Sequence, residues 1–287
     1  MSASSLSNRV PNLDKSITRL IHDALDEDIG PGDVTSATVI PADLRFKGVM
    51  AAREDMVVAG IDFARMIFHK VVPEARFVAR VKDGDKVSPG TVLAEMDGPA
   101  RGLLTAERPA LNLLQHLSGI ATLTNSYVQA IAGTGAVLLD TRKTIPGLRL
   151  AAKYATRMGG AQNHRMGLYD GVLIKDNHIA VCGSVAEAVR RAKAGQSGKV
   201  EVECDTLDQV REAVVAEADI ILLDNMSLSV LREAVAIVGG KAKTEASGGV
   251  TLENIRGIAE TGVDFVSVGR LTQSARAIDI GMDWSAE

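Results

Sequence analysis

The sequence predicts an α/β protein in which the second half of the chain forms a parallel sheet or a barrel. From Gly135 onward, short aliphatic runs alternate with helical patterns, and repeated βα units produce parallel strands. Aromatic residues make up 3% of the chain and hydrophobic residues 46%, so the core must be largely aliphatic, as in parallel sheets. The 287 residues can hold one large domain or two of ordinary size.

The regular part of the chain contains six strand-like runs, whereas a standard barrel has eight strands. Six strands fit either an open sheet or an incomplete barrel. The runs are 136–139, 171–175, 200–204, 220–224, 243–247 and 265–269. The helices between them are expected to begin after the capping residues Ser184, Thr206, Ser227 and Thr251. Glycines that suit helix ends are Gly195, Gly239 and Gly262.

The first part of the chain has a mixed order of elements. Residues 16–26 have an amphipathic helical pattern, and a second helix is predicted over 61–71. Residues 81–98 alternate short apolar runs with Gly turns, which predicts a structural hairpin. A long helical pattern follows as far as Ala132, and Pro109 should end or kink it because proline has no N–H. Further strands are expected at 45–52, 56–59 and 77–80.

The cysteine content and the length of the apolar runs limit the cellular compartment and the kinds of partner that we expect. The two cysteines, Cys182 and Cys204, have neither metal-ligand spacing nor the density of a disulfide scaffold. The N-terminal stretch MSASSLSNRVPNLDK has no apolar signal core, and no apolar run is long enough to span a membrane. We therefore expect a cytoplasmic protein that has no membrane partner.

Residues 140–178 carry the most unusual chemistry of the chain. They hold seven Lys or Arg and two His against three Asp, whereas the whole protein has a formal net charge of −4. A cationic cluster in an acidic protein indicates a pocket for a small, highly charged anion and not a nucleic-acid surface. Arg149, Lys153 and Arg157 have helical spacing and fit an ordinary basic helix face. The cations without that spacing are the candidates for anion binding: Arg142, Lys143, His164, Arg165 and Lys175.

Each strand of the regular region ends in polar residues. Catalytic groups collect at the C-terminal ends of barrel strands, so these endings should converge on one rim. In VEVEC (200–204), alternation turns Glu201 and Glu203 to the interior, where carboxylates need cations or a metal. For Glu201, a purely structural ion pair fits equally well. The polar endings are 140–143, 175–177, 203, 224–225, 245–249 and 269–270.

Two glycine-containing loops follow the last two strands of the region. ASGGV (246–250) precedes a helical pattern, and SVGRL (267–271) follows the final strand. Bare backbone N–H groups next to a helix start bind phosphate well, and barrels often bind phosphate at their last two strand ends. These loops are therefore predicted to hold a phosphate group.

Several motifs, taken in order, resemble the quinolinate phosphoribosyltransferase family, also called carboxylating nicotinate-nucleotide pyrophosphorylase. The N-terminal ALDEDIGPGDVTS and the later TAERPALNLLQHLSGIAT are also similar to that family, so the resemblance covers nearly the whole chain. One departure is Ile145, where a second threonine is common. The central motifs are DTRKTIPGLR, KYATRMGGAQNHRMGLYDGVLIKDNH, VEVECDTL, ADIILLDNM and EASGGV with TLENI.

The resemblance implies an N-terminal α/β sandwich domain followed by an open six-stranded α/β barrel. We accordingly predict an N-terminal domain with a linking helix over 1–117, a barrel with the active site over 118–272, and a tail over 273–287 that returns to the N-terminal domain. The resemblance also implies a homodimer with shared active sites, in which the N-terminal domain of one subunit covers the barrel of the other. Further assembly into hexamers is left open.

The implied reaction joins quinolinate to phosphoribosyl pyrophosphate and gives nicotinate mononucleotide, pyrophosphate and carbon dioxide, with Mg²⁺ as cofactor. The arginine fork suits each of the two adjacent carboxylates of quinolinate. The residues implied for catalysis are Lys143, Lys175, Glu203 and Asp224, and the last two would bind Mg²⁺ directly or through water. The residues implied for substrate binding are Arg108 of the neighbouring subunit, Arg142, His164, Arg165, Lys175, Ser247, Gly248, Gly249, Gly269 and Arg270.

Three alternatives stay open at the level of sequence. The nearest is a paralogue encoded with molybdenum transport genes, which has the same fold and a different substrate. A barrel aldolase would use Lys175 as a Schiff base, although the abundance of arginine fits anion binding better. A non-catalytic phosphate-binding module would leave Glu203 and Asp224 among the cations unexplained. The role of His178, which either supports Asn177 or caps a strand end, is also open.

Overall fold

The structure, a computed structural model, describes residues 13–195 and 198–286 and confirms the α/β fold class. The first half of the chain forms α1 (Leu13–Ile29), α2 (Val34–Val39), β1 (Arg45–Ala52), β2 (Met56–Val57), α3 (Ile61–Val71), β3 (Arg76–Ala79), β4 (Lys86–Val87), β5 (Val92–Pro99), α4 (Ala100–Ala130) and β6 (Val137–Leu139). The next elements are α5 (Arg149–Met158), β7 (Val172–Ile174), α6 (Asp176–Cys182), α7 (Val185–Gly195), β8 (Val200–Cys204) and α8 (Leu207–Val215). The last are β9 (Ile220–Asp224), α9 (Leu228–Val238), β10 (Lys243–Ser247), α10 (Ile255–Ala259), β11 (Phe265–Ser267), α11 (Arg270–Gln273) and β12 (Ile280–Ala286).

The chain forms two compact units. Unit 1 contains the described residues up to Thr124, together with 145–160 and 274–286, and unit 2 contains 125–144 and the described part of 161–273. The domain boundaries predicted at residues 117 and 272 stay predictions. The stretch 1–12, for which the sequence predicts no signal core, lies outside the described residues.

Unit 1 is built on an antiparallel sheet with the strand order β12-β1-β5-β3. Strand β1 and helix α3 have the bounds predicted from their patterns, and α3 buries Ile61, Ala64 and Phe68 on one face. The C-terminal strand β12 lies beside β1, where the Trp284 ring covers Gly48. A Cβ at position 48 would lie 2.2 Å from that ring, so this close approach requires glycine.

Several local predictions differ from the structure. Residues 81–98 do not form the predicted hairpin, because β4 pairs with β2 whereas β5 pairs with β1 and β3. Helix α4 runs through Pro109 to Ala130, so the predicted end there is wrong, and the alternative of a kink stays a prediction. Its buried side chains on both sides of the proline, such as Leu103 and Leu114, offset the cost of about 3 kcal/mol that an interior proline imposes. The prediction that Thr251 caps a helix is wrong. Helix α10 begins later, and Asn254 precedes it.

Unit 2 is built on a six-stranded parallel sheet with the order β6-β11-β10-β9-β8-β7. Strands β6 and β7 lie at its two edges and do not pair with each other in the described part of the chain, so the barrel is open. Thr206 and Ser227 cap α8 and α9 as predicted, because each side chain accepts a backbone N–H of the first turn. Gly239 ends α9 with a φ of 54°.

Among the described residues, no helix combines the length and the apolar character needed to cross a bilayer.

Candidate active site

The C-terminal ends of the six parallel strands place most of the predicted site residues on one edge of the unit 2 sheet. Arg142 and Lys143 follow β6, Lys175 follows β7, and Glu203 lies near the end of β8. Asp224 and Ser247 end β9 and β10 side by side in register. The glycine pair Gly248 and Gly249 follows β10, while Gly269 and Arg270 follow β11. Arg108 instead lies in α4, within unit 1, with an exposed side chain.

Asp140 attaches the segment before β7 to the end of β6. Its side chain is fully buried and accepts the His164 backbone N–H at 2.9 Å and the Asn163 side-chain amide at 2.5 Å. A backbone bridge between Leu139 and Gln162 lies next to these bonds. These contacts hold His164, and therefore Arg165, beside the strand that leads into Arg142.

Arg142 and Arg165 are close enough for their positive charges to affect each other. Burial lowers the pKa of Arg165, the charge of Arg142 lowers it further, and the charge of Glu201 opposes both effects. Within the described residues, the buried Nε of Arg142 has no hydrogen-bond partner. Two half-buried guanidinium groups that repel each other form a site in which an anion with two carboxylates would be stabilised.

Lys175 and Glu203 form an ion pair on neighbouring strands. The Glu203 side chain is only 11% exposed, so removing Lys175 would leave a largely buried carboxylate without this partner. His178 fixes the start of α6, because its Nδ1 accepts the Lys175 backbone N–H at 2.9 Å. His178 therefore caps the end of β7, and this contact orients the lysine that follows the strand.

The side chains of His164, Glu201 and Glu245 form a buried cluster within unit 2. The His164 Nε2 is 3.2 Å from Glu201 Oε2 and 3.6 Å from Glu245 Oε2. The His164 Nδ1 accepts the backbone N–H of Arg165 at 2.7 Å. Burial raises the pKa of Glu245 to about 7, and the negative charge of Glu201 contributes to this rise. The strand alternation that turned Glu201 inward on β8 therefore has a counterpart on β10.

The loop after β10 is held between two asparagines. Gly248 and Gly249 have φ angles of 88° and 60°, which favour glycine. A Cβ on Gly248 would lie 2.3 Å from Asn225 Oδ1, so a side chain there would displace the neighbouring loop. The Asn225 backbone N–H donates to the Ser247 carbonyl, and the Asn254 side chain donates to the Gly249 carbonyl, both at 2.9 Å. These contacts fix the shape of the loop, and phosphate binding by its backbone stays a prediction.

The loop after β11 contacts the loop after β6, as expected for neighbouring strands. The Thr272 hydroxyl donates to the Lys143 carbonyl at 2.7 Å. A Cβ on Gly269 would lie 2.8 Å from Lys143 Cδ, so the absence of a side chain there makes room for the lysine stem. Lys143 itself is exposed. The arrangement places a flexible cation beside the second predicted phosphate loop.

Glu203 and Asp224 are the two carboxylates that the sequence predicts to bind Mg²⁺, and this role stays a prediction. They lie near the ends of the adjacent strands β8 and β9, and both are half-buried. The Asn225 side-chain amide donates to Asp224 Oδ2 at 2.5 Å and orients that carboxylate. Carboxylates are chemically suited to Mg²⁺, which prefers oxygen ligands and keeps several waters.

The sequence placed Asp140 and Glu245 among the polar strand endings but did not predict the buried contacts that support this site. The inward position of Glu245 could have been found, because KTEAS repeats the alternation that identified Glu201. The roles of Asp140, Asn163 and Asn254 depend on contacts between segments that are distant in the chain or outside regular elements. The basic helix face was also misjudged, because Lys153 in α5 is only 1% exposed.

The fold and the site define an open α/β barrel that carries cationic side chains and glycine-containing loops at the carboxyl ends of its strands. The family model described as the N-terminal domain of quinolinate phosphoribosyl transferase matches residues 33–118, and the model of its C-terminal domain matches 120–283. The chain belongs to the quinolinate phosphoribosyltransferase family.

Similar proteins agree with this assignment. A carboxylating nicotinate-nucleotide pyrophosphorylase of Mycobacterium leprae is 46% identical over 270 residues, which is 92% of this chain and 95% of that protein. A decarboxylating quinolinate phosphoribosyltransferase of Nicotiana glauca is 43% identical over 286 residues, covering 92% of this chain and 81% of its own length. The solved nicotinate-nucleotide pyrophosphorylase of Francisella tularensis has a TM-score of 0.92 and 43% identity, and covers 97% of this chain and 98% of its own.

Proposed function

We propose that this protein transfers the phosphoribosyl group of phosphoribosyl pyrophosphate to quinolinate and releases pyrophosphate and carbon dioxide. The product is nicotinate mononucleotide, and the reaction belongs to de novo NAD biosynthesis. The observation that carries this proposal is the pair of half-buried guanidinium groups at Arg142 and Arg165 beside two phosphate-type loops. The names of the relatives at 43–46% identity support it.

Quinolinate would bind at the two arginines and Lys175. Each guanidinium fork can bind one carboxylate with two parallel hydrogen bonds. Direct binding by His164 stays a prediction, because both of its ring nitrogens already have partners within the protein. His164 would still act on the substrate indirectly, since its Nδ1 holds the backbone of Arg165 in place.

Phosphoribosyl pyrophosphate would bind across the remaining strand ends. The backbone of Ser247, Gly248, Gly249, Gly269 and Arg270 would hold the 5′-phosphate. Glu203 and Asp224 would contact the ribose hydroxyls or hold Mg²⁺, which when bound would neutralise charge on the pyrophosphate. Lys143 would lie against the pyrophosphate or a carboxylate, where its exposed and flexible stem can follow the departing group.

The first chemical step needs no protein nucleophile. As pyrophosphate leaves, positive charge develops at the ribose carbon, and the pyridine nitrogen of quinolinate attacks that carbon. The residues contribute by holding two anionic substrates in line and by stabilising negative charge on the leaving pyrophosphate.

In the second step, the C–C bond to the 2-carboxylate breaks as carbon dioxide leaves, and its electron pair stays on ring carbon 2, where the adjacent cationic nitrogen stabilises it until a proton from solvent is added to that carbon. The arginines neutralise the carboxylate that stays. Lys175 would contact the carboxylate region, and its Nζ is already paired with Glu203, which disfavours its use as a Schiff base. Borohydride trapping with a carbonyl substrate would test that rejected alternative.

We also propose a cytoplasmic homodimer with shared active sites, in which Arg108 enters the partner's site. Leu168 and Tyr169 support this assembly, because they follow the His164–Arg165 pair and are 74% and 85% exposed. Exposed apolar side chains of that size suit coverage by another chain. Assembly of dimers into hexamers would be resolved by measuring the mass of the protein in solution.

The test of the activity is production of nicotinate mononucleotide from quinolinate, phosphoribosyl pyrophosphate and Mg²⁺, with nicotinate as a parallel substrate. Turnover of quinolinate but not of nicotinate is expected, because the proposed site binds both carboxylates of quinolinate. Turnover of neither by a folded dimer would overturn the proposal and favour the paralogue encoded with molybdenum transport genes. Omission of Mg²⁺ in the presence of a chelator should abolish turnover.

A further inference from the structure

We propose that Glu245 is a positioning residue that stays in its uncharged acid form when the dicarboxylate binds, so that Glu201 is the single negative charge in its cluster with His164. This inference rests on the proposed function, since it concerns the affinity of the same site for quinolinate. It assigns a role to a side chain that contacts neither substrate.

The first step of the argument is the state of the His164 ring. Its Nδ1 accepts the Arg165 N–H at 2.7 Å, so that nitrogen carries no proton. The ring proton therefore sits on Nε2 and points between Glu201 and Glu245, at 3.2 Å and 3.6 Å. A metal ion would need the lone pair of Nε2, although the three groups are within 4.8 Å of one another. The cluster therefore holds protons and not a metal.

The second step is the shortage of partners for Glu245. Its side chain is 1% exposed, and its Oε1 has no hydrogen-bond partner among the described residues. Its Oε2 is also farther from His164 than the nearest Glu201 oxygen. A buried carboxylate with one unpartnered oxygen is costly in its charged form, whereas the acid form removes most of that cost.

The surroundings of Glu245 favour the same state. Glu201 on β8 repels a second negative charge, whereas His164, Lys175 after β7 and the Ser267 hydroxyl on β11 favour it. The residues in register on the adjacent strands, Leu222 and Phe265, are apolar. Burial and the Glu201 charge outweigh the favourable groups, and they raise the pKa of Glu245 to about 7.

The consequence is a site whose affinity depends on pH. Above about pH 7 Glu245 ionises, and a second negative charge in the cluster, within electrostatic reach of Lys175, competes with quinolinate for that cation. A dicarboxylate that binds there should therefore take up a proton onto Glu245, because linkage between the two events is reciprocal. Both carboxyl groups of quinolinate are already ionised in this range, so the ligand itself adds no proton of its own.

The experiment measures quinolinate binding by calorimetry between about pH 6 and 9, in two buffers of different ionisation enthalpy, for wild type, Glu245→Gln and Glu233→Gln. Glu233 lies on the exposed side of α9 and serves as the matched control. In wild type and Glu233→Gln, the Kd should rise roughly 3- to 30-fold with pH, and binding at about pH 8 should take up a proton. Glu245→Gln should show neither effect.

An equal rise of Kd and equal proton uptake in Glu245→Gln would overturn the proposal. A second measurement needs no ligand and no variant. The infrared C=O band of a protonated carboxyl should titrate in the wild-type protein near pH 7, and its absence would also overturn the proposal. If wild type fails to bind quinolinate but shows the band, then the proposed function fails and the protonation of Glu245 stands. A stoichiometric metal ion lost on Glu245→Gln would contradict the assignment.

Discussion

The two sheets of this protein differ in how deeply their charged side chains are buried. In the antiparallel sheet of unit 1, the ion pairs Arg80–Glu95 and Arg45–Asp97 lie at the surface, with side chains between 33% and 51% exposed. In the parallel sheet of unit 2, Glu201 and Glu245 are 6% and 1% exposed. Surface pairs contribute about 0–1 kcal/mol, whereas buried charges cost several kcal/mol before any compensation.

The difference shows where the fold supports function. Unit 1 gains its stability from apolar residues and leaves its charges in water, so a charge change there should be tolerated. Unit 2 keeps carboxylates and guanidinium groups in a partly dry interior, where each charge affects its neighbours strongly. Charge substitutions should therefore have large effects in unit 2 and small effects in unit 1.

The largest effect is expected from Lys175→Glu. This change places a second carboxylate against Glu203 and removes a cation from the quinolinate site, so kcat/KM should fall by at least about 100-fold. Release of labelled carbon dioxide from quinolinate labelled at its 2-carboxyl group measures it. The control is Arg80→Glu, which reverses the exposed partner of Glu95 and should change kcat/KM less than about twofold. Carbon dioxide release by Lys175→Glu at the wild-type rate would contradict the assigned role.

The second-largest effect is expected from Arg142→Ala, which should weaken the binding of quinolinate. A charge-assisted hydrogen bond contributes about 1.5–3 kcal/mol, so the KM for quinolinate should rise roughly 10- to 150-fold. The KM for phosphoribosyl pyrophosphate should change much less. Arg45→Ala removes an equally long cation from the surface of unit 1 and should leave both values unchanged. A similar rise in both KM values for Arg142→Ala would mean that Arg142 does not distinguish the two substrates.

Glu245→Gln should change how stability depends on pH. The folded protein raises the pKa of Glu245 from 4.5 to about 7, so the native state binds this proton more tightly than the unfolded chain. Its contribution to stability is therefore full below about pH 4.5 and is lost as the pH rises to about 7. The unfolding free energy of Glu245→Gln relative to wild type should increase by about 1–3 kcal/mol between pH 5 and 8. Denaturant titrations at both pH values measure it, and a constant difference would contradict a raised pKa.

The sequence predicted those parts of the structure that follow from local pattern. Strand β1 and helix α3 have the predicted bounds because their periodicity is strong and each packs on one face. The strand ends of unit 2 were predictable because parallel strands carry their polar residues to one edge. The cluster around His164 was not predictable from the sequence, because Asp140, Glu201 and Glu245 come from three separate strand regions. Proline at position 109 was misleading because long-range packing outweighs the local cost.

Gly248→Ala should produce the smallest of these effects and tests the second substrate site. Position 248 has a φ of 88°, and a Cβ there would meet Asn225 Oδ1 at 2.3 Å, so the variant should lose about 1–2 kcal/mol of stability and shift the loop. The KM for phosphoribosyl pyrophosphate should rise several-fold while the KM for quinolinate stays within about twofold. Gly240→Ala is the matched control, because Gly240 has a φ of 78° but open space around its Cβ. That variant should share the backbone strain and keep both KM values. Equal kinetic effects in the two variants would mean that the loop after β10 does not hold the phosphate.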